Sequence, residues 1–203
     1  IGGTTAGARN IISGNTTAID IGSATTAQLT GNVIQGNYIG TDISGAMPLP
    51  NRGAQTIYIR GANTTVGGVA PGAGNLIAFN NGTGIRLATL IGANVIRGNS
   101  IFGNSGLGID LGSGGVTAND SCDNDTGSNN LQNYPVLNAA VSNGTTTTIS
   151  GSLNSTANST FVVDFYQSPT FDPTTFGEGK TFLGSVNVMT SSTCSVIIEA
   201  VLP

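Results

Sequence analysis

A repeated element of the form Asn-apolar-Ile-x-x-Asn constrains this chain more than any other feature of its sequence. It occurs four times, beginning at Asn10, Asn32, Asn75 and Asn94. The surrounding segments also repeat, because residues 1–15 resemble 66–80 at an offset of 65 and residues 31–40 resemble 93–102 at an offset of 62. Self-similarity at such a period is typical of solenoid proteins. The offsets predict a superrepeat of two solenoid turns.

A second short segment of strand-like sequence follows each copy of the element. These segments are residues 18–22, 56–60, 84–88 and 108–112. β-Branched residues at period two dominate them and glycine interrupts every run, which favours strands over helices. Three short strands per turn predict a triangular solenoid of four coils over residues 1 to about 112. One insertion, residues 40–53, falls between two strands of the second coil.

The residue types of the repeat are those that a stacked core needs. One coil is too thin to bury its own apolar side chains, so we expect equivalent isoleucines to stack about 4.8 Å apart. The expected stack contains Ile12, Ile34, Ile77 and Ile96. Asparagines at the corners are expected to hydrogen-bond along the solenoid axis and to satisfy backbone groups of the turns.

At this point the sequence shows a family resemblance. The N-x-I-x-G-N elements resemble the parallel β-helix repeats of the pectate-lyase-like superfamily, and residues 108–137 look like the closing segment of bacterial β-helix modules. Such modules belong to large secreted or surface proteins. The resemblance implies a right-handed parallel β-helix, at residues 1–134, and an extracellular or cell-surface location. It implies little about function, because the superfamily includes both enzymes and adhesins.

The asparagine pattern stops near residue 135, and a second unit is predicted from there to residue 203. Its strand-like segments are residues 145–153, 160–167, 181–188 and 194–202. Their alternation is typical of half-buried antiparallel strands and predicts a small immunoglobulin-like β-sandwich. Four or five strands are fewer than the seven of a complete sandwich. With the first coil open at Ile1, this predicts end-to-end or donor-strand self-association, extending to fibres.

Composition excludes several classes of function. Only 8% of residues are charged and the net charge is −4, which argues against nucleic-acid binding. No apolar run approaches the roughly 18 residues of a membrane span, so membrane insertion is not expected. The chain has no histidine, which excludes histidine-based triads and the usual zinc sites.

The densest acidic segment is a candidate metal site. Asp120, Asp123 and Asp125 supply hard oxygen ligands at close spacing before a glycine, a composition suited to Ca²⁺. The alternative is a solvated turn rich in Asp and Asn. Cys122 lies within this segment and Cys194 near the end of the chain, and the two either form a disulfide or stay as buried thiols.

One column of outward-facing side chains is a candidate catalytic site. Stacking the second strands places Asp20, Tyr58, Arg86 and Asp110 in a line. An Arg86–Asp110 pair is expected to be a surface ion pair. Asp20 and Asp110 would be about 14 Å apart, beyond the roughly 6.5–9.5 Å of an inverting glycosidase. The column therefore predicts no catalytic pair.

Tyr58, Asp42 and Arg52 remain as candidate ligand-binding residues for carbohydrate, the last two within the inserted loop. Asp42 and Arg52 are also the nearest approximation to a lyase site, and they are too few. The leading interpretation is a non-catalytic extracellular module with a structural or adhesive role. A polysaccharide lyase or glycoside hydrolase, and a carbohydrate-binding module, are the alternatives.

Overall fold

The computed structural model describes residues 1–22, 30–88, 92–112, 114–170, 172 and 175–203. In these residues the chain is all-β, a parallel β-solenoid of about three turns followed by antiparallel sheets. Short 3₁₀ turns occur at Ala6–Ala8, Ser121–Asp123 and Asn129–Leu131. In this part of the chain no helix is long and apolar enough to cross a membrane. The predicted fold class is confirmed at this level.

Eleven short strands form the described part of the solenoid. They are β1 (Ile11–Ile12), β2 (Ile19–Ile21), β3 (Val33–Ile34), β4 (Tyr38–Ile39), β5 (Gln55–Ile59), β6 (Thr65–Gly67), β7 (Leu76–Ala78), β8 (Thr83–Leu87), β9 (Val95–Arg97), β10 (Ser100–Phe102) and β11 (Ile109–Leu111). The first sheet has the order β1-β4-β7-β10, the second β2-β5-β8-β11 and the third β3-β6-β9.

The coil count is slightly lower than the four predicted. Three turns contribute a strand to every sheet, whereas β10 and β11 begin a further turn to which the described residues add no third-sheet strand. After β11 the chain leaves the repeat. The Asn129 side chain then pairs with the backbone of Asn94, at the edge where another strand would pair.

The predicted isoleucine stack was wrong in its membership. Ile12 aligns with Ile39, and Ile39 with Ile77, within the first sheet. Ile34 and Ile96 instead belong to the third sheet. The Asn-Ile element therefore marks two different faces of the solenoid. It looks alike on both because each face needs the same inward isoleucine beside a corner asparagine.

Two asparagine ladders run along the axis, as expected. One contains Asn10, Asn37, Asn75 and Asn99, and the other Asn15, Asn51, Asn80 and Asn104. At each step one side-chain oxygen accepts from both the backbone and the side-chain amide of the previous asparagine. Asn51 donates from N at 3.1 Å and from Nδ2 at 2.9 Å to Oδ1 of Asn80. These bonds satisfy polar groups that the stacked core would otherwise bury unpaired.

Glycine is required where the chain turns over a ladder asparagine. At Gly40 φ is +91°, and an added Cβ would lie 2.1 Å from the Ala78 carbonyl oxygen and 2.4 Å from Oδ1 of Asn80. At Gly67 φ is +84°, and an added Cβ would meet the Arg97 carbonyl and the Asn99 amide equally closely. A side chain at either position would displace a ladder asparagine.

Five antiparallel strands follow the solenoid, namely β12 (Val136–Ser142), β13 (Thr147–Asn154), β14 (Thr160–Gln167), β15 (Thr181–Met189) and β16 (Ser195–Leu202). One sheet has the order β12-β13-β16 and the other contains β14 and β15. Residues of both sheets share one apolar core around Ile198 and Phe165. The four predicted segments coincide with β13 to β16. β12 was not predicted, because all seven of its residues are exposed and carry no burial pattern.

The antiparallel strands contact the last solenoid turn through charged and polar groups. The Arg97 guanidinium pairs with both carboxylate oxygens of Asp164, at 2.6 and 2.8 Å. The backbone N–H of Gly98 donates to the Tyr166 hydroxyl at 2.8 Å. These contacts join β9, an edge strand of the third sheet, to β14.

A second contact closes one asparagine ladder. Asn104, its last asparagine, donates from Nδ2 to Oε1 of Glu178 at 2.8 Å and from N to Oε2 at 3.3 Å. Beside it, the N–H of Ile101 donates to the Gly179 carbonyl. The segment before β15 thus covers part of the end of the solenoid.

Candidate functional site

The three acidic residues of the predicted metal site lie together in the segment that connects the solenoid to the antiparallel strands. One carboxylate oxygen from each of Asp120, Asp123 and Asp125 lies within 4.8 Å of the others. Asp123 is buried, with 9% of its surface exposed. Three carboxylates at this separation repel one another strongly unless a cation or protons compensate their charge.

Hydrogen bonds from neighbouring elements fix the central carboxylate. Asp123 accepts from the backbone N–H of Asn133 through Oδ1 and from the Ser155 hydroxyl through Oδ2, each at 2.8 Å. Asp120 accepts from the backbone N–H of Asn124 through Oδ2 at 3.0 Å. Two of the three carboxylates are therefore held in position by hydrogen bonds within the protein.

A disulfide crosses the middle of the acidic segment. Cys122 and Cys194, 72 residues apart, are bonded in the structure. The backbone N–H of Cys122 also donates to the Asn154 side chain at the end of β13. Cys122 and Asp123 have φ values of 62° and 58°, a region that non-glycine residues seldom occupy. The cross-link helps to hold this backbone and ties the acidic segment to the turn before β16.

Two carboxylate oxygens of the cluster have no hydrogen-bond partner among the residues that the structure describes. Oδ1 of Asp120 and Oδ1 of Asp125 are both buried and unpaired. Burial, followed by the charges of Asp120 and Asp123, raises the pKa of Asp125 above its ordinary value. An unpaired buried carboxylate oxygen is costly. The arrangement is suited to receiving positive charge.

The donor set fits calcium better than other common metals. Ca²⁺ prefers six to eight oxygen ligands and tolerates irregular geometry, so carboxylates, backbone carbonyls and water together satisfy it. The chain contains no histidine, and both cysteines are in the disulfide, so the soft ligands that select zinc or copper are missing here. Asp120, Asp123 and Asp125 would hold the ion.

The outward column on the second sheet forms as predicted. Asp20 aligns with Tyr58, Tyr58 with Arg86, and Arg86 with Asp110. Arg86 lies 3.8 Å from Asp110, but the pair is not the surface ion pair that was expected, because only 4% of the Asp110 side chain is exposed. Asp20 and Asp110 are three strands apart, which keeps these two carboxylates beyond glycosidase spacing.

Sequence reasoning missed the role of Arg60. Its guanidinium makes a two-pronged contact with Asp20, the shorter distance being 2.6 Å, and its Cζ lies 5.2 Å from the centre of the Tyr58 ring. Arg86 lies near the same ring at 6.0 Å. The two cations flank Tyr58, so its ring is already engaged within the protein. The sequence did contain a signal for this role, because Arg60 directly follows β5 and so continues the strand that carries Tyr58.

No contact among the described residues brings together the three candidate carbohydrate-binding residues, Tyr58, Asp42 and Arg52. Asp42 orders its own turn, where its carboxylate accepts from Ser44 and from the backbone of Ala46 and Met47. The hydrogen bond from Ser44 is the largest reason why the pKa of Asp42 lies below its ordinary value. Arg52 is exposed and donates its backbone N–H to the Asn15 carbonyl.

The inserted loop and Tyr58 also belong to different faces. An added Cβ at Gly45, within the loop, would meet Tyr38 and Leu76, which lie on the first sheet. Tyr58 lies on the second sheet.

Comparison with known proteins assigns no function to either feature, because no protein-family model and no curated protein matches the chain.

Proposed function

We propose that this protein is a non-catalytic extracellular module with a structural or adhesive role, in which bound calcium and the disulfide lock the joint between the solenoid and the antiparallel strands. On this proposal the solenoid is a stiff spacer of the pectate-lyase-like β-helix type, and the antiparallel unit is an incomplete immunoglobulin-like sandwich. A disulfide in a small extracellular domain is in keeping with an oxidising compartment.

The observation that carries the proposal is the position of the acidic cluster. Asp123 receives hydrogen bonds from Asn133 and from Ser155, which directly follows β13, while the adjacent Cys122 is bonded to Cys194 before β16. A cation bound there would therefore stabilise the attachment of the connecting segment to the antiparallel strands. Catalytic calcium sites, in contrast, need an acid or base facing a substrate cleft.

Charged groups of the solenoid and of the antiparallel unit support a structural role in the same way. Arg60 pairs with Asp20, Arg97 with Asp164, and Glu178 with Asn104. Each of these groups is used in a contact within the scaffold. Groups that perform acid–base chemistry are instead expected to face a space that a substrate can enter.

Calcium titration of the full chain, followed by calorimetry and thermal unfolding, tests the proposal. At about a hundredfold excess of calcium over its Kd, linkage predicts stabilisation of about 2.7 kcal/mol. The variant D125N is expected to lose this response, and without calcium to be at least as stable as the wild type because one repulsive charge is gone. E199Q, which removes an exposed carboxylate from β16, is the matched control and should respond normally.

Two results would contradict the proposal. Absence of calcium binding by calorimetry, together with an unchanged melting temperature, would remove the metal from the joint. Depolymerisation of an acidic polysaccharide by the purified chain would overturn the non-catalytic assignment and favour a lyase.

A further inference from the structure

The disulfide between Cys122 and Cys194 offers one accessible sulfur to a reductant. Cys194 is buried, with 6% of its surface exposed, whereas Cys122 is partly exposed. Thiol–disulfide exchange requires a thiolate to approach one of the two sulfur atoms directly. Attack on this bond is therefore expected at Cys122.

The acidic cluster of Asp120, Asp123 and Asp125 flanks this sulfur. Asp123 directly follows Cys122 in the sequence, and neighbouring Cα atoms are about 3.8 Å apart, which keeps the Asp123 carboxylate within about 10 Å of the Cys122 sulfur. One oxygen of each of the other two carboxylates lies within 4.8 Å of an Asp123 oxygen. The Asp120 carboxylate accepts from the backbone N–H of Asn124, so it reaches across the turn that contains Cys122.

Hydrogen bonds hold the cysteine and the cluster against the same end of β13. The backbone N–H of Cys122 donates to the side chain of Asn154, the last residue of β13, at 2.8 Å. The hydroxyl of Ser155, the next residue, donates to the Asp123 carboxylate at 2.8 Å. These bonds fix the backbone that carries both the sulfur and the carboxylate, so the negative charge stays beside the disulfide.

No basic residue lies near the cluster in the sequence. The chain contains no lysine or arginine between Arg97 and Lys180 and none after Lys180. The ion pairs of the described residues use Arg60, Arg86 and Arg97, and none of them includes a carboxylate of the cluster. In the part of the chain that the structure describes, no ion pair neutralises the charge beside Cys122.

We propose that the acidic cluster guards the disulfide electrostatically, by repelling anionic thiols from the Cys122 sulfur. A thiolate is itself an anion, and a carboxylate or sulfonate on the same molecule increases the repulsion. A thiol that carries an ammonium group is repelled least. The bond that ties the acidic segment to the turn before β16 is therefore reduced slowly by acidic thiols such as glutathione and most readily by aminothiols.

The guarded reaction is thiol–disulfide exchange. The thiolate sulfur of the reductant bonds to Sγ of Cys122 while the bond to Cys194 breaks, and Cys194 leaves as a thiolate that takes a proton from water. A second thiol then attacks the mixed disulfide, which releases Cys122 and the oxidised reductant. Two thiols thus supply the two electrons that the protein disulfide takes up. The cluster opposes the first step, because the thiolate must reach Cys122.

Salt concentration sets the size of the effect. Charges about 10 Å apart interact at about 0.01 M salt, where the Debye length is about 30 Å, and are screened at about 1 M, where it is about 3 Å. We expect an anionic thiol to react at least about tenfold more slowly than a cationic one at the lower salt concentration. At the higher concentration the difference should fall below about twofold.

Reduction of the full chain by three two-carbon thiols tests the guard. They are 2-mercaptoethanesulfonate, 2-mercaptoethanol and 2-aminoethanethiol, which differ in the charge at the end remote from sulfur. Each rate is divided by the rate at which the same thiol reduces hydroxyethyl disulfide, a neutral disulfide, because this removes differences in intrinsic reactivity. All rates are measured with a calcium chelator, so the inference goes beyond the proposed function and fails separately from calcium binding.

A charge-removing variant identifies the cluster as the cause. D120N/D125N removes two charges with little change of shape and keeps Asp123, whose hydrogen bonds fix the segment. It should lower the ratio of the cationic to the anionic normalised rate at least threefold. E199Q, which removes an exposed carboxylate of β16, is the matched control and should keep the wild-type ratio. A loosened fold would speed up all three thiols together, so the ratio is the readout.

The site of attack is a second readout. Alkylation of the first thiol released, followed by peptide mass mapping, should find Cys194 free and Cys122 in the mixed disulfide. Equal normalised rates for the three thiols with the wild type at about 0.01 M salt would overturn the inference. So would a ratio that does not respond to salt, an unchanged ratio in D120N/D125N, or first attack at Cys194.

Discussion

Glu178 occupies the place that a further asparagine would take in the ladder that ends at Asn104. Its two carboxylate oxygens accept from the Asn104 side chain and backbone, the same pair of donors that each earlier asparagine presents to its neighbour. A residue 74 positions later in the chain thereby satisfies the last step of the repeat. The antiparallel unit is in this respect part of the solenoid.

The first prediction concerns this closing residue. E178A is expected to lower the free energy of unfolding by about 1–3 kcal/mol, because two donors of Asn104 lose their acceptor at a partly buried site. E178Q keeps one acceptor oxygen, as asparagine has, and should lose less. Urea unfolding at neutral pH measures both, and equal losses would show that the acceptor pattern is not what matters.

The second prediction concerns a ladder interior. Asn80 is fully buried and bonds to Asn51 and Asn104 on its two sides. N80L is expected to cost about 3 kcal/mol or more, because it leaves several buried groups unpaired. Asn15 begins the same ladder and is exposed, so N15L should cost much less. Chemical denaturation of both variants provides the comparison, and similar costs would argue against the ladder as a source of stability.

The third prediction concerns the disulfide. Replacing Cys122 and Cys194 together by serine removes a cross-link between residues 72 apart, for which the loop-entropy model gives about 4 kcal/mol. Reduction of the wild type should have a similar effect on unfolding by urea. If the double variant and the reduced wild type are as stable as the oxidised protein, the bond does not constrain the joint.

The fourth prediction concerns pH dependence at the junction. Burial opposes ionisation of Asp164, but hydrogen bonds from Arg97 and Ser185 outweigh it and hold the Asp164 pKa below its ordinary value. Because the folded pKa is depressed, this stabilisation is present above the unfolded pKa and is lost as pH falls through the folded value. D164N should therefore be less stable than the wild type at pH 7. Because Arg97 is partly exposed and solvent weakens its ion pair with Asp164, we expect a loss of about 1–2 kcal/mol.

The difference between D164N and the wild type should shrink towards zero in strong acid, once the wild-type carboxylate is protonated as well. Thermal unfolding at a series of pH values measures this convergence. A constant difference at all pH values would mean that the side chain acts through packing and not through its charge.

Local patterns predicted the antiparallel strands that bury one face, from β13 to β16. They missed β12, since a fully exposed strand leaves no alternation to detect. The sequence also predicted that the three carboxylates of the acidic segment lie together. Asp120, Asp123 and Asp125 are close in the sequence, and a tight turn is enough to bring them together. Whether the candidate carbohydrate-binding residues Tyr58, Asp42 and Arg52 lie together could not be predicted in the same way. They are not adjacent in the sequence, and only the path of the chain decides on which face of the solenoid each one lies.

The sequence by itself determined the all-β class, the parallel solenoid and its asparagine ladders, because every turn repeats the same short-range requirement of inward isoleucines and corner asparagines. The tertiary structure decided which copies of the element stack on one another and how the solenoid ends. The pairing in the first and third sheets, and contacts such as Arg97 with Asp164, depend on how neighbouring strands meet in space. Local residue preferences carry no information on that pairing, so those features became visible only in the folded chain.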